Sequence, residues 1–247
     1  MLEVLILSGT QEGRAIAEAL LNAHPELHVV SSLAGVTTPA TPWPGEVRVG
    51  GFGGADGLAD YLRDHNVKLV IDATHPFAER ITGNAVKACA ATDTPYLRLD
   101  RPQWTLPQDT DVVFVPDAAE AARLVARTSS AVLLTIGGKD VSAFSGVEKV
   151  KLVVRAIEMP ADSTKLDNAT YVIARPPFTV DGEVALMRQH AIDTVVTKAS
   201  GGDATRAKLD AAALVGARLV ILRRPPPPDT ERAFNVEEAL AWVTRHL

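Results

Sequence analysis

The sequence predicts an α/β protein of two doubly wound lobes with mainly parallel sheets and a cleft between them. Short apolar runs of strand length alternate with helical patterns along the whole chain, which is typical of βαβ units. One stretch without periodicity, Asp100–Pro107, interrupts the alternation, which then resumes. We therefore expect a first domain over residues 1–101 and a second over 102–247. The sequence leaves open which lobe the C-terminal helix packs against.

The elements follow in order along the chain. Strands of the first lobe are expected at Glu3–Leu7, His28–Ser32, Glu46–Val49, Lys68–Ile71 and Pro95–Leu99, with helices at Gly13–Ala23, Ala55–His65 and Pro76–Ala91. Strands of the second lobe are expected at Val112–Val115, Val132–Ile136, Lys151–Val154, Tyr171–Ala174, Thr194–Thr197 and Arg218–Leu222. Its helices are expected near Ala118–Arg127, Gly182–His190, Thr205–Val215 and Val236–His246. The run Pro225–Pro228 cannot continue a strand.

Composition excludes several classes of function. A net charge of −5 gives no general attraction to nucleic acid or to anionic lipid, so any anion site must be local. The single cysteine, Cys89, rules out a disulfide within the chain, and the histidines show no metal-ligand spacing. No apolar run approaches the roughly 18 residues of a membrane span, and the N-terminus is typical of a strand rather than a signal peptide. We expect a cytoplasmic protein without a metal, a nucleic-acid partner or a membrane.

The stretch Val70–Ala78 is the most informative part of the chain. A buried strand ends there on the small polar residues Asp72 and Thr74, followed by His75 and Pro76. Ligands of open α/β sheets bind outside the carboxyl ends of the strands, which places these side chains where a substrate would lie. The alternative is that Asp72 and Thr74 cap a helix that Pro76 begins, with His75 in a solvated loop.

Glycine-rich turns follow the first and third strands. In the first turn, Gly9 permits a tight bend, and Gly13 would let a phosphate approach the start of the next helix. Packing alone also explains such a turn. The third turn, Val49–Gly57, holds five glycines, among them Gly51 and Gly53, and this density favours close approach by a ligand.

The second strand ends on Ser31 and Ser32, where enzymes specific for NAD usually carry an acidic residue. A carboxylate would repel a 2′-phosphate, whereas hydroxyls accept one. If a dinucleotide binds, its phosphorylated form is therefore favoured.

In the second lobe, a buried strand delivers Lys198 and Ser200 to a turn formed by Gly201 and Gly202. Such a turn can form an anion-binding nest, to which Lys198 adds a charge. The alternative is a solvated lysine with a helix cap at Asp203. Arg175 also follows a strand, and a cleft position and a surface position are equally compatible with its sequence context.

These residues together resemble the precorrin-6A reductase family of cobalamin biosynthesis. The landmarks span about Leu5 to Pro225 in order: Ser8-Gly9-Thr10-x-Glu12-Gly13-Arg14, Ser32-Leu33-Ala34-Gly35, Gly50-Gly51-Phe52-Gly53-Gly54, Asp72-Ala73-Thr74-His75-Pro76-Phe77-Ala78, Tyr96-Leu97-Arg98-Leu99-x-Arg101-Pro102-x-Trp104, Arg175-x-Pro177-Phe178, Lys198-x-Ser200-Gly201-Gly202 and Lys208-Leu209-Asp210-Ala211-Ala212. Each is weak alone, but the ordered set is specific. The chain departs from the family pattern at Ser8, Pro176, Ala199 and Val36, the last standing where many relatives carry a basic residue.

The resemblance implies NADPH-dependent reduction of precorrin-6A to precorrin-6B. The cofactor contacts it implies are Gly9, Thr10, Gly13, Arg14, Ser31, Ser32, Gly51, Gly53 and Thr74. The groups it implies for the carboxylates of the macrocycle are His75, Arg101, Arg175, Lys198, Ser200, Gly201 and Gly202. Enzymes of neighbouring pathway steps are possible partners.

Reduction also needs a proton, and His75 or Lys198 are candidate donors, with water and a substrate carboxylate as alternatives. Two other functions stay open: a nucleotide-sugar or phosphoester-type transferase with two such lobes, and a non-catalytic dinucleotide-sensing module.

Overall fold

The structure, a computed structural model, describes residues 2–34, 42–160 and 165–247. It divides into two compact units. The first consists of Met1–Pro102 with Pro225–Leu247, and the second of Gln103–Arg224. In the numbering used below, strands and helices are counted along the chain.

The first unit is a parallel sheet with helices. Its strands are β1 (Leu2–Leu7), β2 (Leu27–Leu33), β3 (Glu46–Val49), β4 (Val67–Asp72), β5 (Tyr96–Leu99) and β12 (Arg232–Ala233). Its helices are α1 (Gln11–Ala23), α2 (Ala55–Asp64), α3 (Glu79–Thr92) and α8 (Val236–His246). The strand order is β12-β5-β4-β1-β2-β3, and every pairing is parallel.

This order is that of a Rossmann-like sheet, in which the direction of winding reverses between β1 and β4. The carboxyl ends of β1 and β4 therefore open a crevice at the edge of the sheet, and such a switch point is where ligands bind. Apolar residues cover both faces. Ile16 and Leu20 of α1 pack on one face, and Leu58 of α2 with Cys89 of α3 pack on the other.

Cys89 lies in that second layer and is 3 % exposed. Burial, with a smaller contribution from the charge of Asp72, raises the pKa of its thiol to about 12. The thiolate is therefore scarce at neutral pH, and the residue serves as a small apolar side chain.

The C-terminal segment belongs to the first unit. Strand β12 pairs with β5, and Trp242 and Val243 of α8 pack in the same core layer as Ile16 and Leu20 of α1. The expected assignment of residues 102–247 to one domain is therefore wrong for residues 225–247. The sequence did not show that the chain returns to the first unit, because the polyproline run interrupts the alternation of strands and helices before β12. A strand of two residues is also too short to show a period.

The second unit repeats the architecture. Its strands are β6 (Val112–Val115), β7 (Ala131–Leu134), β8 (Lys151–Ala156), β9 (Ala169–Ile173), β10 (Thr194–Lys198) and β11 (Arg218–Leu222). Its helices are α4 (Ala118–Thr128), α5 (Gly138–Val141), α6 (Val180–Gln189) and α7 (Ala207–Val215), with single 3₁₀ turns at Ser142–Phe144 and Asp203–Thr205. The order β6-β11-β10-β7-β8-β9 is again all parallel and reverses between β7 and β10.

Two sheets of parallel strands alternating with helices confirm the predicted α/β class. The start of α3 differs from the prediction. Pro76 and Phe77 form a turn closed by the hydrogen bond from the Ala78 amide to the His75 carbonyl, at 2.8 Å, and the helix begins only at Glu79. Among the helices of the described residues, none combines the length and the apolar character that a bilayer span needs.

Candidate active site

The first switch point is organised by Thr10. Its side chain caps α1 by accepting a hydrogen bond from the Gly13 amide at 3.1 Å, and it donates one to the Ala73 carbonyl at 2.7 Å. The turn after β1 is thereby tied to the turn after β4. Gly9 takes a φ of +118°, and a Cβ built on it meets no atom within 4 Å. This open space lies beside the first turn of α1, where backbone amides favour an anion.

Gly13 has a packing role as well as the one expected. It is buried, and a Cβ at this position would collide with the hydroxyl of Ser8 and lie 3.3 Å from the Cβ of Ala73. The glycine therefore allows α1 to pack closely against the sheet, and its amide is already taken by Thr10. Arg14, one residue on, stacks over Trp43 with its guanidinium carbon 5.5 Å from the ring centroid.

A buried ion pair fixes the turn after β4. Asp72 has no exposed surface, and its Oδ1 lies 2.6 Å from Nη1 of Arg98, its neighbour in register on β5. The remaining acceptor capacity of the carboxylate is used by the hydroxyls of Thr74, Thr82 and Tyr96 at 2.6–2.9 Å. Asp72 is therefore no helix cap, because strand pairing directs it towards β5 and α3.

The same network shapes the segment that carries His75. Arg98 donates to the carbonyl oxygen of Thr74 at 3.1 Å and to its hydroxyl at 3.0 Å. The hydroxyl of Thr74, expected to face a cofactor, is thus bound to Asp72 and Arg98. His75 is half-buried, and its Nδ1 accepts the Phe77 amide at 3.2 Å, so the neutral ring carries its proton on Nε2.

The ends of β2 and β3 carry the residues of the expected adenosine site. Ser31 is fully buried inside β2, and Ser32 is 7 % exposed, so of the two expected contacts that of Ser32 is the more accessible. Arg48 lies opposite Ser32 on β3 and donates to the carbonyls of Gly50 and Gly51 at 2.6 and 2.8 Å. Gly35 and Val36, named in the sequence analysis, lie outside the described residues.

Arg48 also stacks on Phe52, with 3.7 Å between its guanidinium carbon and the ring centroid. The loop of residues 50–54 is therefore held by an arginine at the carboxyl end of β3. Gly51 and Gly53, both expected to contact the cofactor, lie in this loop with open space where a Cβ would be.

Arg101 follows β5 and lies beside the first turn of α1. Its Nη1 binds both carboxylate oxygens of Glu12, at 2.9 and 3.0 Å. A carboxylate at a helix N-terminus opposes the binding of a second anion there, and this pairing neutralises it. The contact with substrate expected of Arg101 stays a prediction.

The second switch point, between β7 and β10, brings together two charged residues. Lys198 ends β10 and forms an ion pair with Asp140 of α5, which follows the turn after β7. The side chain of Lys198 is 18 % exposed. Lys198 was identified from the sequence but Asp140 was not, because a four-residue helix that begins at Gly138 shows no period.

Lys198 leads into the turn expected to bind anions. Gly201 and Gly202 take φ values of +68° and +78°, and the Gly202 carbonyl accepts the indole N–H of Trp104 at 2.6 Å. The hydroxyl of Ser200 lies 3.4 Å from the carbonyl of Lys198. Arg175 is more peripheral: its side chain is 42 % exposed and pairs with Glu158 at 2.7 Å.

Residues 3–244 match the family model described as precorrin-6x reductase CbiJ/CobK. The chain belongs to the precorrin-6x reductase family. It is 46 % identical to the precorrin-6A reductase of Rhodococcus erythropolis over 245 residues, which cover 98 % of both chains. It is 43 % identical to that of Mycobacterium tuberculosis over 246 residues, again covering 98 % of both.

A solved structure of CobK precorrin-6A reductase superposes with a TM-score of 0.91 at 36 % identity, covering 100 % of this chain and 97 % of that one. The chain is thus an oxidoreductase of a family that acts in cobalamin biosynthesis. Membership in the precorrin-6x reductase family decides against the transferase and the sensing module that the sequence left open.

Several residues of this reductase that contact the turns described above were not identified by sequence reasoning as site residues: Arg48, Asp140, Lys208 and Arg224. Arg48 lies in a strand, where a period-2 pattern predicts only which face is apolar. Lys208 belongs to one of the landmark segments, which is the one signal that could have identified it.

Proposed function

We propose that the protein reduces a double bond of precorrin-6A with NADPH and so forms precorrin-6B. The observation that carries this proposal is the family match over residues 3–244. It is supported by two switch points of different chemistry, one with a capped helix N-terminus and glycine turns, the other with a lysine and a Gly-Gly turn.

The first unit has groups that fit a dinucleotide. The amides at the start of α1 and the open space over Gly9 suit a pyrophosphate, and the Glu12 charge that would oppose it is neutralised by Arg101. When bound, NADPH would supply the hydride. Thr10 and the Asp72–Arg98 pair would keep the turns after β1 and β4 in the geometry that the nicotinamide end requires.

For the 2′-phosphate we propose Arg48 together with Ser32. In Rossmann-like sheets the ribose of the adenosine lies at the end of the second strand, and an arginine nearby accommodates the phosphate in NADP enzymes. Arg48 pairs with Ser32 across strands β2 and β3. Its guanidinium is oriented by hydrogen bonds to the carbonyls of Gly50 and Gly51.

The second unit would bind the acetate and propionate groups of the macrocycle. The candidate groups are Lys198, Ser200 and the amides of Gly201 and Gly202, with Arg175 at the periphery. Nδ1 of His75 accepts a hydrogen bond from the Phe77 amide, so the proton that His75 can donate is on Nε2. This proton would go to the substrate carbon adjacent to the carbon that receives the hydride. Lys198 is the alternative donor, although its ion pair with Asp140 favours a binding role.

Anaerobic incubation with precorrin-6A and either NADPH or NADH tests the proposal. We expect loss of the nicotinamide absorbance with NADPH and formation of precorrin-6B, in a 1:1 ratio and only when both enzyme and macrocycle are present. Absence of cofactor oxidation with either nucleotide, in protein that is folded by circular dichroism, would overturn the reductase assignment.

Arg48→Gln is expected to raise the KM for NADPH about tenfold or more and to leave the KM for NADH within twofold. The reason is that a charge-assisted hydrogen bond contributes about 1.5–3 kcal/mol, and only NADPH carries the 2′-phosphate. Arg63→Gln is the matched control, since Arg63 of α2 is surface-exposed and pairs with Asp60. Equal weakening of both cofactors would show that Arg48 only shapes the loop and would contradict the prediction.

A further inference from the structure

Residues 199–205, which form the turn after β10, are called the 199–205 loop below. Side chains and one backbone amide hold this loop by donating hydrogen bonds to its carbonyl groups. Four side-chain hydrogen bonds hold it: Arg224 to the carbonyls of Ala199 (3.1 Å) and Ser200 (3.0 Å), Trp104 to Gly202 (2.6 Å), and Lys208 to Thr205 (2.7 Å). The Phe178 amide adds a bond to the Ala204 carbonyl at 3.3 Å.

The amides of the two glycines in this loop are directed to no carbonyl of the described residues. Within the described part of the chain, the amides of Gly201 and Gly202 make no hydrogen bond to a protein acceptor. Both glycines have positive φ, a conformation that a side chain would strain. An anion bound at this loop would therefore meet backbone amides as its donors.

Lys208 is the unusual member of this set. It lies in the first turn of α7 and is only 3 % exposed, and its ammonium stacks on Trp104 at 4.7 Å from the ring centroid. It thus contacts the loop twice, directly at Thr205 and through the indole that binds Gly202. Among the described residues no ion pair joins Lys208 to a carboxylate, and burying such a lysine is costly, which makes a purely structural role a poor explanation.

The charged neighbours of Lys208 come from two elements. Arg155 of β8 and Glu183 of α6 form a buried ion pair, and Arg155 also stacks on Phe178, 3.9 Å from the ring centroid. One oxygen of the buried Glu183 carboxylate, Oε2, has no partner among the described residues. The cluster of Arg155, Glu183 and Lys208 therefore carries one positive charge in excess beneath the loop when all three are ionised.

We propose that Lys208 is a positioning residue for substrate binding, which holds the 199–205 loop as an anion nest and adds a buried positive charge behind it. The ligand class is a carboxylate of the macrocycle, so this inference rests on the proposed function. Lys208 acts through Thr205 and Trp104 and has no contact with the substrate itself.

The charge of Lys208 is sensitive to pH. Burial, and to a smaller extent the charge of Arg155, lower the pKa of its ammonium to about 7, while Glu183 acts in the opposite direction. Arg206 and Asp210, also near the start of α7, pair with each other at 3.2 Å. Because the free enzyme loses the Lys208 charge as pH rises through about 7, macrocycle binding should weaken over the same range, whereas cofactor binding should not.

Steady-state kinetics of Lys208→Met tests the inference. We expect the KM for precorrin-6A to rise about tenfold, the KM for NADPH to stay within twofold and kcat to change less than the macrocycle KM. In the wild type, kcat/KM for the macrocycle should fall about tenfold between pH 6 and 8.5, and this fall should be absent in the variant. Lys151→Met is the control, because Lys151 of β8 also donates to a backbone carbonyl, that of His190, but at an exposed position.

Two further measurements keep the result decisive. Fluorescence titration with an octacarboxylate porphyrin reports anion binding without turnover, and Lys208→Met should weaken it while Lys208→Arg retains most of it. If the wild type binds the porphyrin in this manner but reduces no precorrin-6A, the proposed function fails and the loop inference stands. An unchanged macrocycle KM in folded Lys208→Met, or the same fall with pH in the variant, would overturn the inference. If Lys208→Met does not fold, Trp104→Phe takes its place, because it removes the hydrogen bond from the indole to the Gly202 carbonyl. The same changes in the macrocycle KM and in porphyrin binding then decide the result.

Discussion

Asp72→Asn is expected to destabilise the first unit by about 3–5 kcal/mol, because it leaves the guanidinium of Arg98 buried without a counter-charge. Asp72 is fully buried and the Arg98 side chain is 4 % exposed, so water cannot replace the lost partner. The amide keeps the size of the side chain, which separates the effect of charge from that of a cavity. Urea unfolding followed by circular dichroism at 25 °C measures the loss.

The same substitution should also lower activity in the protein that remains folded. Arg98 holds Thr74, and the segment Thr74–His75 lies at the crevice proposed for the nicotinamide end. We expect a fall in kcat of tenfold or more, measured by NADPH oxidation below the unfolding transition.

The control for Asp72→Asn is Asp60→Asn, which removes a carboxylate of the exposed Asp60–Arg63 pair in the same unit. It should change stability by less than about 0.5 kcal/mol. The double variant Asp72→Asn/Arg98→Met should recover part of the loss, since it removes the unpaired charge as well. If the free energy of unfolding of Asp72→Asn lies within about 1 kcal/mol of the wild-type value, which is roughly the resolution of such measurements, the prediction is contradicted.

In the Asp72 network, the strand and the crevice at its end could be predicted from the sequence, whereas the hydrogen-bond partners of Asp72 could not. The apolar run before Asp72 predicts β4, and the alternation predicts a ligand crevice at its end, both from residue types alone. The partner of Asp72 depends on strand order and register, which place Arg98 beside it across 26 positions of sequence. Without that information, an Asp before a Pro is equally well interpreted as a helix cap, and this interpretation is wrong here.

Buried charged residues are the second feature of the fold that could not be predicted from the sequence. A charged residue in a strand or helix is expected at the surface, so Arg155, Glu183 and Lys208 gave no signal in the periodic pattern. Their burial depends on the packing of α6 and α7 together on one sheet, a tertiary fact. Gly201 and Gly202, by contrast, were expected as a turn, because a glycine pair after a strand indicates one locally, and the structure shows that both take positive φ.

Lys208→Met is expected to stabilise the second unit at low pH, by about 2–4 kcal/mol at pH 6. Burial holds the pKa of Lys208 at about 7, against 10.5 for the ordinary side chain. Below pH 7 both the folded and the unfolded chain carry the proton, and the folded chain bears the full cost of a buried charge, on the order of 5 kcal/mol. Methionine removes this cost and loses the hydrogen bond to Thr205, about 1 kcal/mol.

The sign of the pH dependence follows from proton binding. Between pH 7 and 10.5 the unfolded state binds the proton that the folded state has released, so the Lys208 contribution to stability rises with pH over this window. The advantage of the methionine variant should therefore be largest at pH 6 and shrink steadily towards pH 10. Urea unfolding of both proteins at pH 6, 7.5 and 9 measures it, and the difference at each pH cancels the titrating groups that do not interact with Lys208.

Lys151→Met again serves as the control and should show no pH-dependent difference from the wild type. A methionine variant less stable than the wild type at pH 6, or a difference that does not change with pH, would contradict the prediction. The expected pair of results is a protein that becomes more stable and binds the macrocycle less well. Together they would show that the buried lysine opposes folding of the second unit and that its contribution lies in holding the 199–205 loop for an anionic ligand.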